Sequence, residues 1–277
     1  MKKFLSLLAS CLMAGALFAG CGEAPPPPPD DATKIGMISG LNMSEQKIYK
    51  LARKTSPDLV DYAFVQFDNL NSMQMSLSSG DIEEMSVYKS LANYITARRP
   101  EFEISLKHTT VFNTIDRFAC AFRADEEKLF GEFNGAIRSM KEDGTLDTLA
   151  KQYITDIKGD EEPAAVEMPR VEGADTVKVA VTGDMPPLDL IKANGTPAGF
   201  NTAVLAEISK RIGKNFELVS VETPARASAL ASGKVDAVFW VRVPENDSVF
   251  PPDFDTPRDL LVSEPYFNDK IVHVGKK

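Results

Sequence analysis

The sequence predicts a mixed α/β protein with two lobes, each built on a sheet with the element order βαβαβ. Two observations lead to this prediction. An acidic segment that contains two prolines, residues 156–175, separates residues 34–155 from residues 176–277. Both parts alternate short apolar runs, typical of buried strands, with longer runs at helical spacing. Such alternation is typical of parallel strands joined by right-handed crossovers, so we expect one largely parallel sheet in each lobe.

The first part begins with an apolar strand at residues 34–40, which ends in glycine. A helix is predicted from Ser44 onward, and a strand follows at residues 62–67. A second helix ends at Gly80, where glycine favours helix termination, and leads into a third strand at residues 82–87. This order is the complete βαβαβ unit expected for one lobe.

The second part repeats the order. An Asn-Gly pair at residues 194–195 adds a hairpin turn, because this pair adopts the backbone angles of tight turns easily. The predicted elements are a strand at residues 177–183, a helix at 202–212, a strand at 216–221, a helix that ends at Gly233, and a strand at 235–241.

Composition excludes several classes of protein. The chain is 43% hydrophobic, which argues against disorder, and its net charge of −9 without a basic run argues against nucleic-acid binding. Three cysteines and two histidines leave little material for a metal site, and His108 and His273 lie far apart in sequence. We therefore expect no metal and no cofactor. Cys120 lies in an apolar run and is expected to be a buried, inert thiol.

The N-terminus has the pattern of an export signal. Lys2 and Lys3 precede an apolar stretch at residues 4–20, which is short for a membrane span. The stretch ends in Leu-Phe-Ala-Gly-Cys and resembles a bacterial lipobox, so residues 1–20 are predicted to be a signal peptide and Cys21 to be lipidated. The alternatives are an ordinary secretory signal with a stray cysteine, or an uncleaved anchor.

Residues 21–33 have the composition of a tether. They include five consecutive prolines, Pro25–Pro29, which favour extended polyproline II and give a stiff spacer of roughly 15 Å. A lipid on Cys21 and this spacer would hold a folded body just off a membrane. The sequence therefore predicts a lipid-anchored protein of the cell envelope, on the extracytoplasmic side.

Several stretches together resemble a known family, the bacterial solute-binding proteins of the polar-amino-acid type, which serve ABC importers. The second part contributes VKVAVTGDMPPLDL, GTPAGFNTAVLAEISKRIG, ALASGKVDAVFW, LVSEPYF and KIVHVGKK, and the first part contributes RFACAFRAD and LFGEFNGAIRSMKEDGTLDTLAKQYI. The resemblance implies a two-lobed fold of the periplasmic-binding-protein type II kind. It also implies a receptor that binds a small polar solute, an amino acid or similar, by hinge closure and delivers it to a membrane permease.

The order of the lobes is inverted relative to this family. Residues 34–155 resemble the family's second lobe with its C-terminal helices, and residues 176–277 resemble its first lobe. The chain therefore resembles a circular permutation, with residues 156–175 joining the former ends. Two incomplete tandem binding proteins would be a rival explanation, but the pieces form one complete set without duplication.

The resemblance places the ligand between the lobes, at the ends of strands. Arg242 could hold a carboxylate and Trp240 could form a stacking wall, although the two could also be a surface arginine and a core tryptophan. Ser39 and Asn42 could instead cap the helix that follows them. The candidate ligand-binding residues are Ser39, Asn42, Tyr88, Lys89, Asp184, Trp240 and Arg242.

The usual anchors for an amino acid are partly missing. Tyr88 stands where the family places an aspartate for the α-ammonium group, and Leu188 and Thr223 stand where it often has aromatic residues. These departures keep a second function open, a sensor or scaffold with a degenerate pocket. No catalytic residues and no enzymatic activity are expected, because no nucleophile–base pair is present. The acidic pairs Glu83–Glu84 and Asp253/Asp255 are expected to be solvated.

Overall fold

A computed structural model describes residues 28–55, 61–108, 114–158, 161–245, 255 and 259–277 of the chain. The predicted signal peptide, the lipidation site at Cys21 and most of the proline run lie outside the described residues. Within them, no helix combines the length and the apolar character that crossing a membrane requires.

The first lobe has the predicted βαβαβ order. Strand β1 pairs in parallel with both β2 and β3, and the third helix returns the chain along the sheet to a short strand. The elements are β1 (Thr33–Ile38), α1 (Glu45–Thr55), β2 (Tyr62–Phe67), α2 (Leu70–Ser79), β3 (Glu84–Tyr88), α3 (Lys89–Arg98) and β4 (Phe102–Ile104).

The chain then enters the second lobe. The elements there are β5 (Ile115–Arg123), α4 (Glu127–Glu142), α5 (Thr145–Ala150) with a π-helical turn at Lys151–Thr155, β6 (Thr176–Val181), β7 (Asp184–Met185), β8 (Asp189–Ile191), β9 (Pro197–Ala198), α6 (Phe200–Ile212), β10 (Asn215–Ser220), α7 (Thr223–Ala231), β11 (Ala237–Pro244), β12 (Leu260–Val262) and β13 (Phe267–Lys276). Helices α4 and α5 belong to residues 34–155 in sequence, yet they pack against α6 of the second lobe.

Strand β13 joins the two lobes. Its first residues, Phe267–Lys270, pair with β5, and Ile271–Gly275 pair with β3 in the first lobe. The strands therefore form one continuous path in the order β10-β6-β11-β5-β13-β3-β1-β2. Strand β13 begins three residues before the stretch KIVHVGKK at residues 270–277, and these three residues help to connect the lobes.

Local sequence explains several element ends. The side chain of Asn69 accepts a hydrogen bond from the backbone N–H of Ser72 and caps α2. The hairpin predicted at residues 194–195 is present between β8 and β9, with Gly195 at a φ of 80° that suits glycine. Cys120 is fully buried on β5, and burial raises the pKa of its thiol, as expected for an inert cysteine.

The two ends of the described body lie close together. Ile35 near the start of β1 and Gly275 near the end of β13 both pair with Glu84 of β3, from opposite sides. Since neighbouring strands lie about 4.8 Å apart, the two backbones are about 10 Å apart at this point. A short connection could therefore link the C-terminus to the start of β1.

Candidate functional site

A cavity of about 70 Å³ lies between the two lobes. The first lobe contributes the loop after β1 and the end of β3, while the second contributes α7 and β11. Its polar, charged and aromatic lining includes Ser39, Tyr88, Asp116, Arg226, Trp240, Arg242 and Asp255. This is the location that the sequence predicted for the ligand, at strand ends that face the cleft.

Aromatic residues form one wall of the cavity. Trp240 lies at a break in the register between β11 and β5, because Phe239 pairs with Cys120 and Val241 already pairs with Ala119. Its ring stacks on Phe118 with a centroid distance of 5.0 Å. A β-bulge re-aims the side chain of the residue inserted in the strand. Here the inserted residue is Trp240, whose side chain lines the cavity.

Tyr88 brings a carboxylate into the site. Its hydroxyl donates a hydrogen bond of 2.9 Å to Oδ2 of Asp116, which lies on β5. Burial raises the pKa of Asp116, and the neighbouring charge of Arg242 acts in the opposite direction. Tyr88 of the first lobe thus contacts an aspartate from another strand.

Two guanidinium groups face the cavity from the second lobe. Nη1 of Arg226 donates to the carbonyl oxygen of Trp240 at 3.1 Å, while its buried Nε has no hydrogen-bond partner. Burial lowers the pKa of Arg226 to about 10, so the group stays charged at neutral pH. Burial also lowers the pKa of Arg242, but Tyr88, Asp255 and Asp116 raise it more, and its net direction is upward.

Asp255 connects Arg242 to the first lobe. Its Oδ2 lies 3.5 Å from Nε of Arg242, and its Oδ1 accepts a hydrogen bond of 2.9 Å from the backbone N–H of Asn42. The residue is only 3% exposed. Gly40 allows this approach, because a Cβ at that position would collide with the carboxylate.

The predicted candidates in the loop after β1 take different roles. Ser39 lines the cavity, and its hydroxyl lies 3.4 Å from Oδ1 of Asp68. Asn42 contributes its backbone N–H to Asp255, as described above. The side-chain cap of the next helix comes from Ser44, whose hydroxyl accepts the N–H of Lys47 at 3.2 Å.

Lys89 and Asp184, like Asn42, lie outside the cavity lining. Lys89 is exposed at the start of α3. Asp184 lies at the junction of the lobes, where its Oδ2 accepts a hydrogen bond of 2.9 Å from the backbone N–H of Leu70 in α2. The structure therefore brings Ser39, Tyr88, Trp240 and Arg242 together at the cavity, and it gives Asp184 a contact between the lobes.

Three cleft residues were missed by the sequence analysis. Arg226 could have been found as a charged residue among buried positions of α7, with Thr223 and Ala229 three residues away on either side. Asp116 could have been found as an acid at the start of an apolar strand. Asp255 gave no such signal for its contact with the first lobe, because Asn42 lies 213 residues away in sequence.

The expectation that the acidic pairs are solvated is wrong for Glu84 and Asp255, which are both 3% exposed. Nδ1 of His273 lies 2.8 Å and Nδ1 of His108 3.0 Å from Oε2 of Glu84, and Ser105 donates to its other oxygen. Sequence separation hid this cluster, which the pairing of β13 with β3 assembles. Among the described residues no group of three or more potential ligands has a geometry suited to a metal ion.

Comparison with known proteins adds a partial family match. Residues 177–243 match the family described as bacterial extracellular solute-binding proteins, family 3. A search of curated protein sequences finds no match to the chain. The matched stretch runs from β6 to β11 and therefore includes Arg226, Trp240 and Arg242.

Solved structures with a similar fold include proteins of several kinds. The methionine-binding protein MetQ matches with a TM-score of 0.43 and 14% identity, over 89% of this chain and 84% of that chain. The GluR0 ligand-binding core in complex with L-glutamate matches with a TM-score of 0.41 and 11% identity, over 89% of this chain and 85% of that chain. The VFT2 domain of Bordetella pertussis BvgS matches with a TM-score of 0.40 and 11% identity, over 89% of this chain and 81% of that chain. At TM-scores below 0.5, these similarities assign neither a family nor a ligand.

Proposed function

We propose that the protein is an extracytoplasmic solute-binding protein that captures a small polar solute with a carboxylate group, an amino acid or similar, between its two lobes. One observation carries this proposal. Two arginine side chains of the second lobe line a cavity between the lobes, and a backbone N–H of the first lobe donates to Asp255, a carboxylate that lines the same cavity. Such donors suit a carboxylate, and a solute that contacts both lobes favours the closed arrangement.

The size of the cavity implies that the lobes must open for binding. A volume of about 70 Å³ is well below the roughly 300–1,000 Å³ of pockets that hold drug-sized ligands. An amino acid needs more room than that. Strands β5 and β13 pair where the lobes meet and are the natural place for a hinge.

Delivery to an ABC importer is the transport role that we propose for the captured solute. The family match at residues 177–243 supports it, since that family is described as extracellular solute-binding proteins. In this proposal the partner is the membrane permease of the importer. A lipid on Cys21 and the proline-rich tether would keep the protein at the extracytoplasmic face of a membrane.

A circularly permuted order of lobes is part of the proposal. The ends of the described body lie about 10 Å apart, on either side of β3. Joining them would make β13 run into β1, which restores the order of the family that the sequence resembles. The linker at residues 156–175 would then be the place where the original ends were joined.

A non-transport sensor or scaffold is the second candidate. It is favoured by the observation that a side chain of the protein itself, Asp255, pairs with Arg242 in the cleft. Binding without catalysis is proposed in both cases. The described residues that line the cavity include no histidine, cysteine or lysine that could act as a nucleophile or general base.

A ligand panel tests the proposal. The only tryptophan of the chain, Trp240, lines the cavity, so its fluorescence reports binding directly. The panel contains the amino acids and small carboxylic acids, and melting temperature is measured in parallel. We expect a saturable hit that Arg242→Ala abolishes and that Arg170→Ala, at an exposed site, leaves intact. A folded protein without any hit would favour the sensor or scaffold instead.

A further inference from the structure

Asp255 makes the contacts that a bound carboxylate would be expected to make. One of its oxygens accepts the backbone N–H of Asn42 in the first lobe, and the other lies beside the Arg242 guanidinium in the second. Residue 255 lies between β11 and β12, so it belongs to the same lobe as Arg242 in sequence. A single carboxylate therefore bridges the lobes.

The surroundings are built closely around this carboxylate. Asp255 is 3% exposed, and it lies so close to Gly40 that a methyl group there would collide with it. Arg226 lines the same cavity, is 5% exposed, and keeps a buried Nε without a hydrogen-bond partner. The cleft therefore offers more buried donor capacity than Asp255 alone uses.

We propose that Asp255 is an internal carboxylate that occupies the anion position of the cleft, links the two lobes when no solute is bound, and must leave before an anionic solute can bind. This inference rests on the proposed function for the identity of the competing solute. Asp255 then sets a threshold for binding, because the apparent affinity falls with the fraction of molecules whose site is accessible. Asp255 also favours solutes whose negative charge is at least that of its own carboxylate, because such solutes can replace it beside the arginines.

Chemical complementation tests the position directly. Removing the carboxylate with Asp255→Ala, which keeps Cβ, should create a space that a small free carboxylate such as acetate fills. We expect acetate, titrated against chloride at constant ionic strength, to raise the melting temperature of Asp255→Ala saturably in the millimolar range and to change the Trp240 emission. Wild type and the control Asp147→Ala, an exposed aspartate on α5, should not respond. The double variant Asp255→Ala/Arg242→Ala should lose the response.

Affinity for a solute is the second measurement. If Asp255 holds the site in nine of ten molecules, a carboxylate from the ligand panel should bind Asp255→Asn about tenfold more tightly than wild type. Asp255→Asn keeps the size of the side chain, so this variant can still test the inference if Asp255→Ala fails to fold. A solute that binds wild type and Asp255→Asn equally tightly would overturn the inference and leave the proposed function intact.

The two hypotheses fail in different ways. Acetate binding in Asp255→Ala without any panel hit would support the anion position and count against solute capture. A folded Asp255→Ala variant that ignores acetate, or that responds no more than wild type, would refute the role of Asp255.

Discussion

The carboxylate of Asp184 in the second lobe accepts a hydrogen bond of 2.9 Å from the backbone N–H of Leu70, at the start of α2 in the first lobe. The first N–H groups of a helix have no partner within the helix, and a carboxylate is a favourable acceptor for them. Burial raises the pKa of Asp184, and the bond to Leu70 opposes that rise. Together with the bridge from Asp255 to Asn42, this contact holds the lobes in the arrangement described.

Removing this carboxylate should favour the open arrangement. Asp184→Ala leaves the N–H of Leu70 without its partner, and a hydrogen bond of this kind contributes about 1 kcal/mol. We expect acrylamide to quench Trp240 more strongly in the variant, and small-angle scattering to give a larger radius of gyration. Asp147→Ala is the exposed control. Unchanged quenching and radius would show that Asp184 does not hold the lobes together.

Arg226 should matter for anion binding even though it was not apparent from the sequence. Arg226→Gln removes a buried positive charge next to the cavity, and such losses typically weaken binding of an anion by at least about tenfold. The bond to the carbonyl of Trp240 is also disturbed, so some loss of stability is expected. Isothermal titration with the panel hit measures the affinity. Affinity equal to wild type in a folded variant would remove Arg226 from the site.

Acid should destabilise the protein through Glu84. Burial alone would raise the pKa of Glu84, but hydrogen bonds from His273, Ser105 and His108 outweigh it and hold the pKa at about 2, below the usual 4.5. Since the folded state binds the proton more weakly than the unfolded state, this stabilisation is present above pH 4.5 and is lost as the pH falls toward 2. Its size is on the order of 3 kcal/mol.

Urea unfolding at pH 7 and pH 3 measures this effect. Glu84→Gln should be less stable than wild type at pH 7, and the difference between the two proteins should shrink at pH 3. Exposed Asp143, whose pKa is also lowered to about 2, contributes to acid sensitivity in both proteins and cancels in the comparison. A difference that does not change with pH would contradict the role of the Glu84 carboxylate.

Membrane attachment should depend on Cys21. Cys21→Ser removes the thiol that would carry the lipid, so the protein should move from the detergent phase to the aqueous phase in Triton X-114 partitioning. Labelled palmitate should be incorporated into wild type but not into Cys21→Ser. Cys11→Ser, within the predicted signal peptide, is the control and should remain lipidated. Lipid incorporation in Cys21→Ser would place the modification elsewhere.

The chain should tolerate a change to the lobe order of the family that its sequence resembles. A variant that starts at Glu161, ends at Lys158 and joins Lys277 to Thr33 needs a linker of about four residues, since an extended residue spans about 3.4 Å. It keeps the contacts of the acidic linker with the second lobe, such as the bond from Val166 N–H to Pro197. We expect a melting temperature within a few degrees of wild type and the same Trp240 emission.

A cut inside α6 is the control for this variant. New ends between Leu205 and Ala206 would interrupt a helix whose residues are largely buried, so that chain should not fold. If the variant with the restored order also fails to fold, the proximity of the chain ends does not permit permutation, and the proposal of a permuted family member loses its structural support.

Local patterns in the sequence determined most of the elements. The apolar run at residues 62–67 is strand β2 as predicted, and Gly213 ends α6 with a φ of 67°. Strand period, helical spacing and glycine positions act over a few residues, so they can be interpreted without knowledge of the fold. The α/β class followed from the order of these elements, whereas the cleft positions of Tyr88, Trp240 and Arg242 were predicted from the resemblance to a family that binds its ligand between two lobes.

Only the tertiary structure decided how charge is arranged in the cleft. The contact between Asp255 and Asn42 spans 213 residues, and His108 and His273 meet at Glu84 because β13 pairs with both β3 and β4. In the sequence alone, an aspartate or glutamate that is buried cannot be distinguished from one that is solvated. Their difference arises from which partner the fold brings within hydrogen-bond distance, since a buried carboxylate is retained only where donors or positive charges compensate for the loss of water.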